Sequence, residues 1–148
     1  MIKLKALSDD SLEFAFQCLK ELRGRARYSL SDFERYVRAN HLMDHSNFEM
    51  LVGYTGKFPI GILTCNRFAM PRYLGFGYEL EEVIICPSRQ GQGYGKQLVR
   101  AFLRRAKSDK SIRKVIVKTD DQVRAGKLYK KYFSVSPATV YHTTVNLL

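Results

Sequence analysis

Apolar residues recur along the chain in two rhythms, strict alternation and three-to-four spacing, and their succession outlines the elements. Ile2-Lys3-Leu4-Lys5-Ala6 alternates and predicts a short first strand. Ser8-Asp9-Asp10 offers an N-cap with acids near the positive helix end. Leu12, Phe14, Ala15, Phe16, Leu19 and Leu22 then form one apolar side, and Gly24 is the expected stop. Ser31-Asp32 predicts the cap of a second helix with Phe33, Tyr36, Val37 and Leu42 facing inward. Between these helices Arg23 to Ser29 is basic and loop-like, either a solvated connection or a lid over a substrate. Phe48 to Tyr54 and Pro59 to Cys65 read as two strands joined through Thr55-Gly56-Lys57, a connection short enough for a hairpin.

Pro71 and Gly75-Phe76-Gly77 interrupt the pattern before the next strand, which ends with Val83 to Ile85 and is closed by Pro87. Past Gly95 the spacing turns helical. Leu98, Val99, Phe102, Leu103 and Ala106 lie on one side, with Lys96, Arg100, Arg104 and Lys107 between them. Lys114 to Lys118 predicts a fifth strand, residues 122–133 a last helix carrying Ala125, Leu128, Tyr129, Tyr132 and Phe133, and Tyr141 to Leu148 a terminal strand. No linker, repeat or low-complexity tract divides the chain, so residues 1–148 are expected to form a single domain.

Composition narrows the class. Hydrophobic residues make up 45% of the chain, as in globular soluble proteins. No apolar run reaches the length of a membrane span and Met1-Ile2-Lys3-Leu4-Lys5 lacks a signal-peptide core, so the expected compartment is the cytoplasm, with no membrane partner. Cys18, Cys65 and Cys86 are odd in number and lack CxxC spacing; reduced thiols are expected. His41 and His45 are four apart, yet no third ligand accompanies them, and no metal site is predicted. Charge is the unusual bulk feature: 25 Lys and Arg against 14 Asp and Glu give +11. Such a surplus attracts anions, whether coenzyme, acidic or phosphorylated substrate, or RNA, although a solvated surface accounts for it as well and nucleic acid is not the favoured partner. A homodimer is compatible with the sequence.

The most informative stretch joins the Val83 strand to the long helix. Gly91, Gly93 and Gly95 let the backbone turn sharply and approach a ligand, while the helix start concentrates unpaired N–H groups. Together they make an anion site suited to phosphate. A Walker A loop is excluded, since Gly95-Lys96 is followed by Gln97 and Gln90 stands where the first Gly belongs. The dinucleotide fingerprint fails too, because Lys96 occupies the place of its third Gly.

The order Arg89-Gln90-x-x-Gly93-x-Gly95 after an apolar strand, followed by Leu98-Val99, resembles the acetyl-CoA pyrophosphate loop of the GNAT superfamily of N-acetyltransferases. Gln122-x-x-Ala125-x-x-Leu128-Tyr129 resembles a second signature of that superfamily, with Gln122 in place of the usual Asn and Tyr132-Phe133-Ser134 in place of a Gly-Phe. Glu79-x-x-Glu82 ahead of the loop is similar to small single-domain members such as the aminoalkylphosphonate N-acetyltransferases. The resemblance implies an α/β (α+β) architecture, the GNAT fold, with a mixed, mostly antiparallel twisted sheet of about six to seven strands flanked by about four helices. It implies acetyl-CoA as co-substrate, contacted by Val83, Ile84 and Ile85 of the strand, by Arg89, Gln90, Gly91, Gln92, Gly93, Tyr94, Gly95 and Lys96 of the loop, and by Gln122.

Acetyl transfer from a thioester to an amine needs a held carbonyl, a deprotonated amine and a proton for the departing thiolate. On an unbroken strand Glu79, Glu81, Val83 and Ile85 share one face and Glu82 takes the other. Two carboxylates on one face suit a general base, and the resemblance makes Glu79 the expected one, with Glu81 second and Glu82 structural. The resemblance makes Tyr129 the general acid. Cys86, at the strand end with no histidine beside it in sequence, reads as a plain small residue rather than an acyl carrier. The expected function is acetylation of a primary amine of a small molecule by direct attack. The alternatives are a macromolecular amine, on protein or aminoacyl-tRNA, and a non-catalytic module that binds CoA or nucleic acid.

Overall fold

In a computed structural model, residues 1–20, 27–44, 46–119 and 125–134 are described. They fall into two compact units, Met1–Lys118 and Thr119–Leu148, each taken by itself.

The first unit is built on a five-stranded sheet in the order β1 (Lys3–Ala6), β2 (Phe48–Thr55), β3 (Phe58–Met70), β4 (Gly75–Ile85), β5 (Ile112–Val117). Neighbours are antiparallel from β1 to β4, and β5 joins β4 in parallel through the helix α3 (Tyr94–Ser108). Among the described residues the strands number five rather than six or seven, and the terminal strand expected over Tyr141–Leu148 lies outside them. Gly56-Lys57 closes the β2–β3 hairpin.

Alternation along the strands sends apolar side chains to both faces. Met50, Val52, Ile62 and Ile84 meet Leu12, Ala15 and Phe16 of the α1 region (Leu12–Lys20) and Phe33 and Val37 of α2 (Leu30–Ala39), forming one core layer. On the other face Tyr78 lies against Phe102 of α3, ring centroids 5.5 Å apart, beside the buried Cys65 and Leu80. The helix α2 starts two residues earlier than expected. Ser29 is its cap, accepting from the backbone N–H of Asp32 at 3.2 Å, while the Asp32 carboxylate accepts in return from the Ser29 N–H at 3.0 Å.

Two strands run further than the sequence pattern predicts. Gly75-Phe76-Gly77 belongs to β4 rather than to a break, because β3 continues to Met70 and pairs with it through Met70↔Gly75. Gly77 fits there because the Phe68 ring lies across it, where any β-carbon would collide. Pro71 falls in a single 3₁₀ turn, Pro71–Tyr73, that joins the two strands.

The second unit contains the short helix α4 (Ala125–Tyr129). The larger helix expected from residue 122 is described only from Ala125, and Gln122 lies outside the described residues.

Candidate functional site

Register along β4 creates the site. Thr64 of β3 faces Glu82 and the next residue, Cys65, faces Leu80, so Glu81 has no partner on β3. This is a β-bulge, one extra residue that breaks the strict alternation of the strand. Leu80 stays on the α3 face, 1% exposed. Beyond the bulge the phase is reversed: Glu82 lies beside Thr64, two residues on from the α1–α2 core residue Ile62. Glu79, opposite Asn66, is on that face as well, and the Asn66 amide reaches Glu81, donating to Oε1 at 3.0 Å.

The expected segregation of Glu79 and Glu81 from Glu82 is therefore corrected. All three carboxylates gather on the face covered by α1 and α2. The alternation rule assumes an unbroken ladder, and the bulge breaks it between the residues in question.

Their environments differ. Glu79 is ion-paired with the ammonium of Lys118. Glu81 is exposed and takes the Asn66 bond. Glu82 is half-buried; burial raises its pKa above the usual carboxylate value, the Glu81 charge adds to the rise, and a bond from the Thr64 hydroxyl at 3.3 Å works against it. Tyr28 stands nearby, with its own pKa raised first by burial and next by the Glu82 and Tyr36 charges. Its ring also meets Phe16, centroids 6.0 Å apart. Sequence reasoning put Glu82 on the other face and did not single out Thr64, Asn66 or Tyr28. The Glu79-x-x-Glu82 spacing carried a signal for the first, since a bulge converts a three-residue step into a shared face.

Past the bulge β4 has a free side. Its pairing with β5 ends at Leu80↔Val117, while its pairing with β3 runs on to Ile85↔Gly61. Among the described residues of the first unit no strand pairs with the β5-side edge of Val83 to Ile85, where alternate residues turn N–H and C=O outward and the Ile85 carbonyl is taken by the Gln90 amide. An extended amide-bearing chain fits such an edge.

That edge leads into the glycine loop. A 3₁₀ turn over Pro87–Arg89 precedes it, and Gln90 reaches back to donate to the Ile85 carbonyl at 3.0 Å, as Gln92 does to the Ser88 carbonyl at 3.1 Å. Gly91 and Gly93 hold φ of 75° and 78°, left-handed backbone that disfavours any other residue, with open space where their β-carbons would be. Gly95 is different. It is already helical, and a β-carbon there would make an ordinary contact with Ile85 at 3.8 Å. Gly93 caps α3 without a side-chain acceptor and no acid lies in the first turn, so the leading N–H groups of α3 are left for an external anion. Arg89 is half-buried and Lys96 exposed at the two sides of the loop, and Tyr94 starts the helix. These features suit a phosphate-bearing ligand with an extended, amide-bearing arm.

Tyr129, in the second unit, packs edge-on to Phe133 with centroids 5.9 Å apart, and burial raises its pKa further above 10. Cys86 is half-buried, its thiol 3.7 Å from the Ser88 hydroxyl. No group of three metal-ligating side chains occurs among the described residues, and none of their helices is long and apolar enough to cross a membrane.

The model of the acetyltransferase (GNAT) family matches residues 11–134. A search of curated proteins finds no match. Among solved structures, a transcriptional regulator from Bacillus halodurans C-125 is similar at TM-score 0.76 and 22% identity, over 97% of this chain and 100% of that one. An aminoglycoside acetyltransferase from an uncultured soil metagenomic sample, in complex with sisomicin, gives 0.72 and 18%, over 99% and 96%. A ribosomal-protein-alanine N-acetyltransferase from Brucella melitensis biovar Abortus 2308 gives 0.70 and 18%, over 98% and 100%. At these identities the likeness carries the fold alone.

Proposed function

The chain belongs to the acetyltransferase (GNAT) family, and from that premise we propose that it transfers an acetyl group from acetyl-CoA to a primary amine of a small molecule by direct attack. The observation that carries this reading is the β4 bulge, which sets a half-buried carboxylate of raised pKa just ahead of a free strand edge and a glycine-opened helix. The leading N–H groups of α3, with Arg89 and Lys96, hold the pyrophosphate. The outward groups of Val83 to Ile85 hold the pantetheine arm and polarise the thioester carbonyl.

Glu82 is the base. Its burial brings it closer to the working pH than an ordinary carboxylate, whereas Glu79 is tied to Lys118 and Glu81 is solvated. One ammonium proton passes to Glu82 and the freed amine forms the new C–N bond as the C–S bond breaks; the second proton that the nitrogen loses replaces the one delivered to the thiolate. The proton for the thiolate is assigned to Tyr129 on its motif position, since burial keeps the phenol protonated at neutral pH.

Three carboxylates on one face favour an acceptor that arrives as a cation; one similar structure is an aminoglycoside acetyltransferase in complex with sisomicin. The test is a panel of amines, with release of free CoA thiol as the readout. Turnover of cationic amines at rates lowered about 10²–10⁴-fold near neutral pH by Glu82→Gln is the expected result; a panel that releases no thiol above hydrolysis would defeat the proposal.

A further inference from the structure

The +11 charge is not spread evenly. Residues 83–118 carry ten Lys and Arg against a single acid, Asp109, which is bonded by the N–H and hydroxyl of Ser111. On α3 the steps Lys96, Arg100, Arg104, Lys107 follow four-, four- and three-residue spacing, which keeps them on one side of the helix, opposite the buried Leu98, Phe102 and Ala106. All four are exposed and none makes an ion pair among the described residues. A four-residue step rises about 6 Å, close to the separation of neighbouring phosphates along a polynucleotide strand, and the stripe is about 16 Å long.

The stripe leads towards an aromatic end. β5 begins just beyond α3 and exposes Arg113, whose Nε donates to the Tyr73 carbonyl at 3.2 Å. Tyr73 is 54% exposed, with the Arg72 guanidinium 5.8 Å from its ring centre. An exposed ring beside a file of unpaired cations suits a base stacked at the end of a tracked backbone. No large apolar side chain is exposed on α3 itself, so the stripe lacks the apolar face of a membrane-lying helix, and the exposed Tyr73 and Leu74 stand only at its far end.

We propose that the outer side of α3, with Arg113 and the Arg72–Tyr73 turn, is a docking surface for a single-stranded polynucleotide. The cations track phosphates and Tyr73 stacks a base. The surface lies on the sheet face opposite the three glutamates and shares only Lys96 with the proposed pyrophosphate site, so Arg100, Arg104, Lys107, Arg113 and Tyr73 test it separately from the acetyl transfer.

The test is fluorescence anisotropy of the whole chain with a short labelled oligouridine RNA, titrated over a range of salt. Each contacted phosphate contributes about −0.7 to the slope of log affinity against log salt, so four contacts predict about −3. Arg104→Gln with Lys107→Gln should make the slope shallower by about 1.4. Tyr73→Ala should weaken binding about ten-fold at every salt concentration without changing the slope. All three side chains are exposed, so an unchanged melting curve is expected, and each variant is a separate reading should the other fail to fold. Binding of oligothymidine DNA with the same variant sensitivity supports the same surface, since phosphates and base faces are shared. Failure to bind at low salt overturns the proposal. So does a slope unmoved by the double variant, or binding of polyglutamate or phosphatidylserine vesicles as tight as that of RNA.

Discussion

The carboxyl of Glu82 is costly to ionise because the α1–α2 side of the sheet removes it from water while Glu81 adds a like charge nearby. A folded pKa raised above the unfolded value means that the native state holds this proton more tightly. The stability contribution is present below the unfolded pKa and is lost as pH rises through the folded one. Two consequences follow in opposite directions. Glu82→Gln should raise the melting temperature at neutral pH, with the gain vanishing below about pH 4.5, where the wild-type side chain is neutral as well. The same variant should lower kcat/KM about 10²–10⁴-fold near neutrality and less at high pH, where the amine deprotonates unaided. A neutral-pH melting temperature no higher than wild type, or an unchanged pH–rate profile, would return the role to Glu79 or Glu81. Tyr129→Phe keeps the ring against Phe133 and removes only the donor. The rate should fall with acetyl-CoA affinity unchanged, and full activity would make the hydroxyl structural.

At the scale of the element, the strand, loop and helix from β4 to α3 were legible in the sequence, since Pro87, the glycines and the three-to-four spacing each act locally. The open edge of β4 and its bulge were not. They depend on where β5 stops pairing and on a slip of register between Thr64 and Cys65, and neither is encoded in the side chains of β4 alone. Glu82 was placed on the opposite face from Glu79 for this reason. Gly75 and Gly77 were read as breakers because what fills the place of their side chains comes from elsewhere in the chain: the Ser111 carbonyl and Arg113 at Gly75, and the Phe68 ring of the neighbouring strand at Gly77. The loop itself gives the element's prediction. Gly93→Val imposes a side chain on left-handed backbone, at a cost of about 1–2 kcal/mol, and fills the open space in front of the α3 N–H groups. Acetyl-CoA affinity should be lost by calorimetry while the variant remains folded. Gly95→Ala, helical and only in ordinary contact with Ile85, should leave the fold at least as stable. Unchanged affinity in folded Gly93→Val would show that the anion is held elsewhere.

Across the first unit, the sheet separates two chemistries: the glutamate face towards α1 and α2, and the face that carries α3 with its outward cations. One buried polar group joins β2, β4 and α3 on the latter. Glu49, 3% exposed, accepts from the Tyr78 hydroxyl at 2.6 Å and from Arg105 at 2.6 Å. Beside it burial pushes the Cys65 thiol up to about 12, so this thiol stays protonated and inert. Removing one member of such a pair leaves the other's charge uncompensated, whereas replacing both by apolar groups costs little. Arg105 is 48% exposed, so water partly replaces it, and Arg105→Met should cost about 3 kcal/mol, the low end for a broken buried pair. Tyr78→Phe should cost about 1.5 kcal/mol, one hydrogen bond to a charged acceptor. Glu49→Met combined with Arg105→Met should recover most of the first loss, leaving chiefly the stranded Tyr78 hydroxyl, and adding Tyr78→Phe should relieve that as well. Urea unfolding of the set gives the coupling energies directly. Acetyl transfer should persist in every folded variant, because the network lies across the sheet from Glu82. Arg105→Met as stable as wild type would mean that solvent alone satisfies Glu49, and the three elements would then be held by their apolar contacts without this bridge.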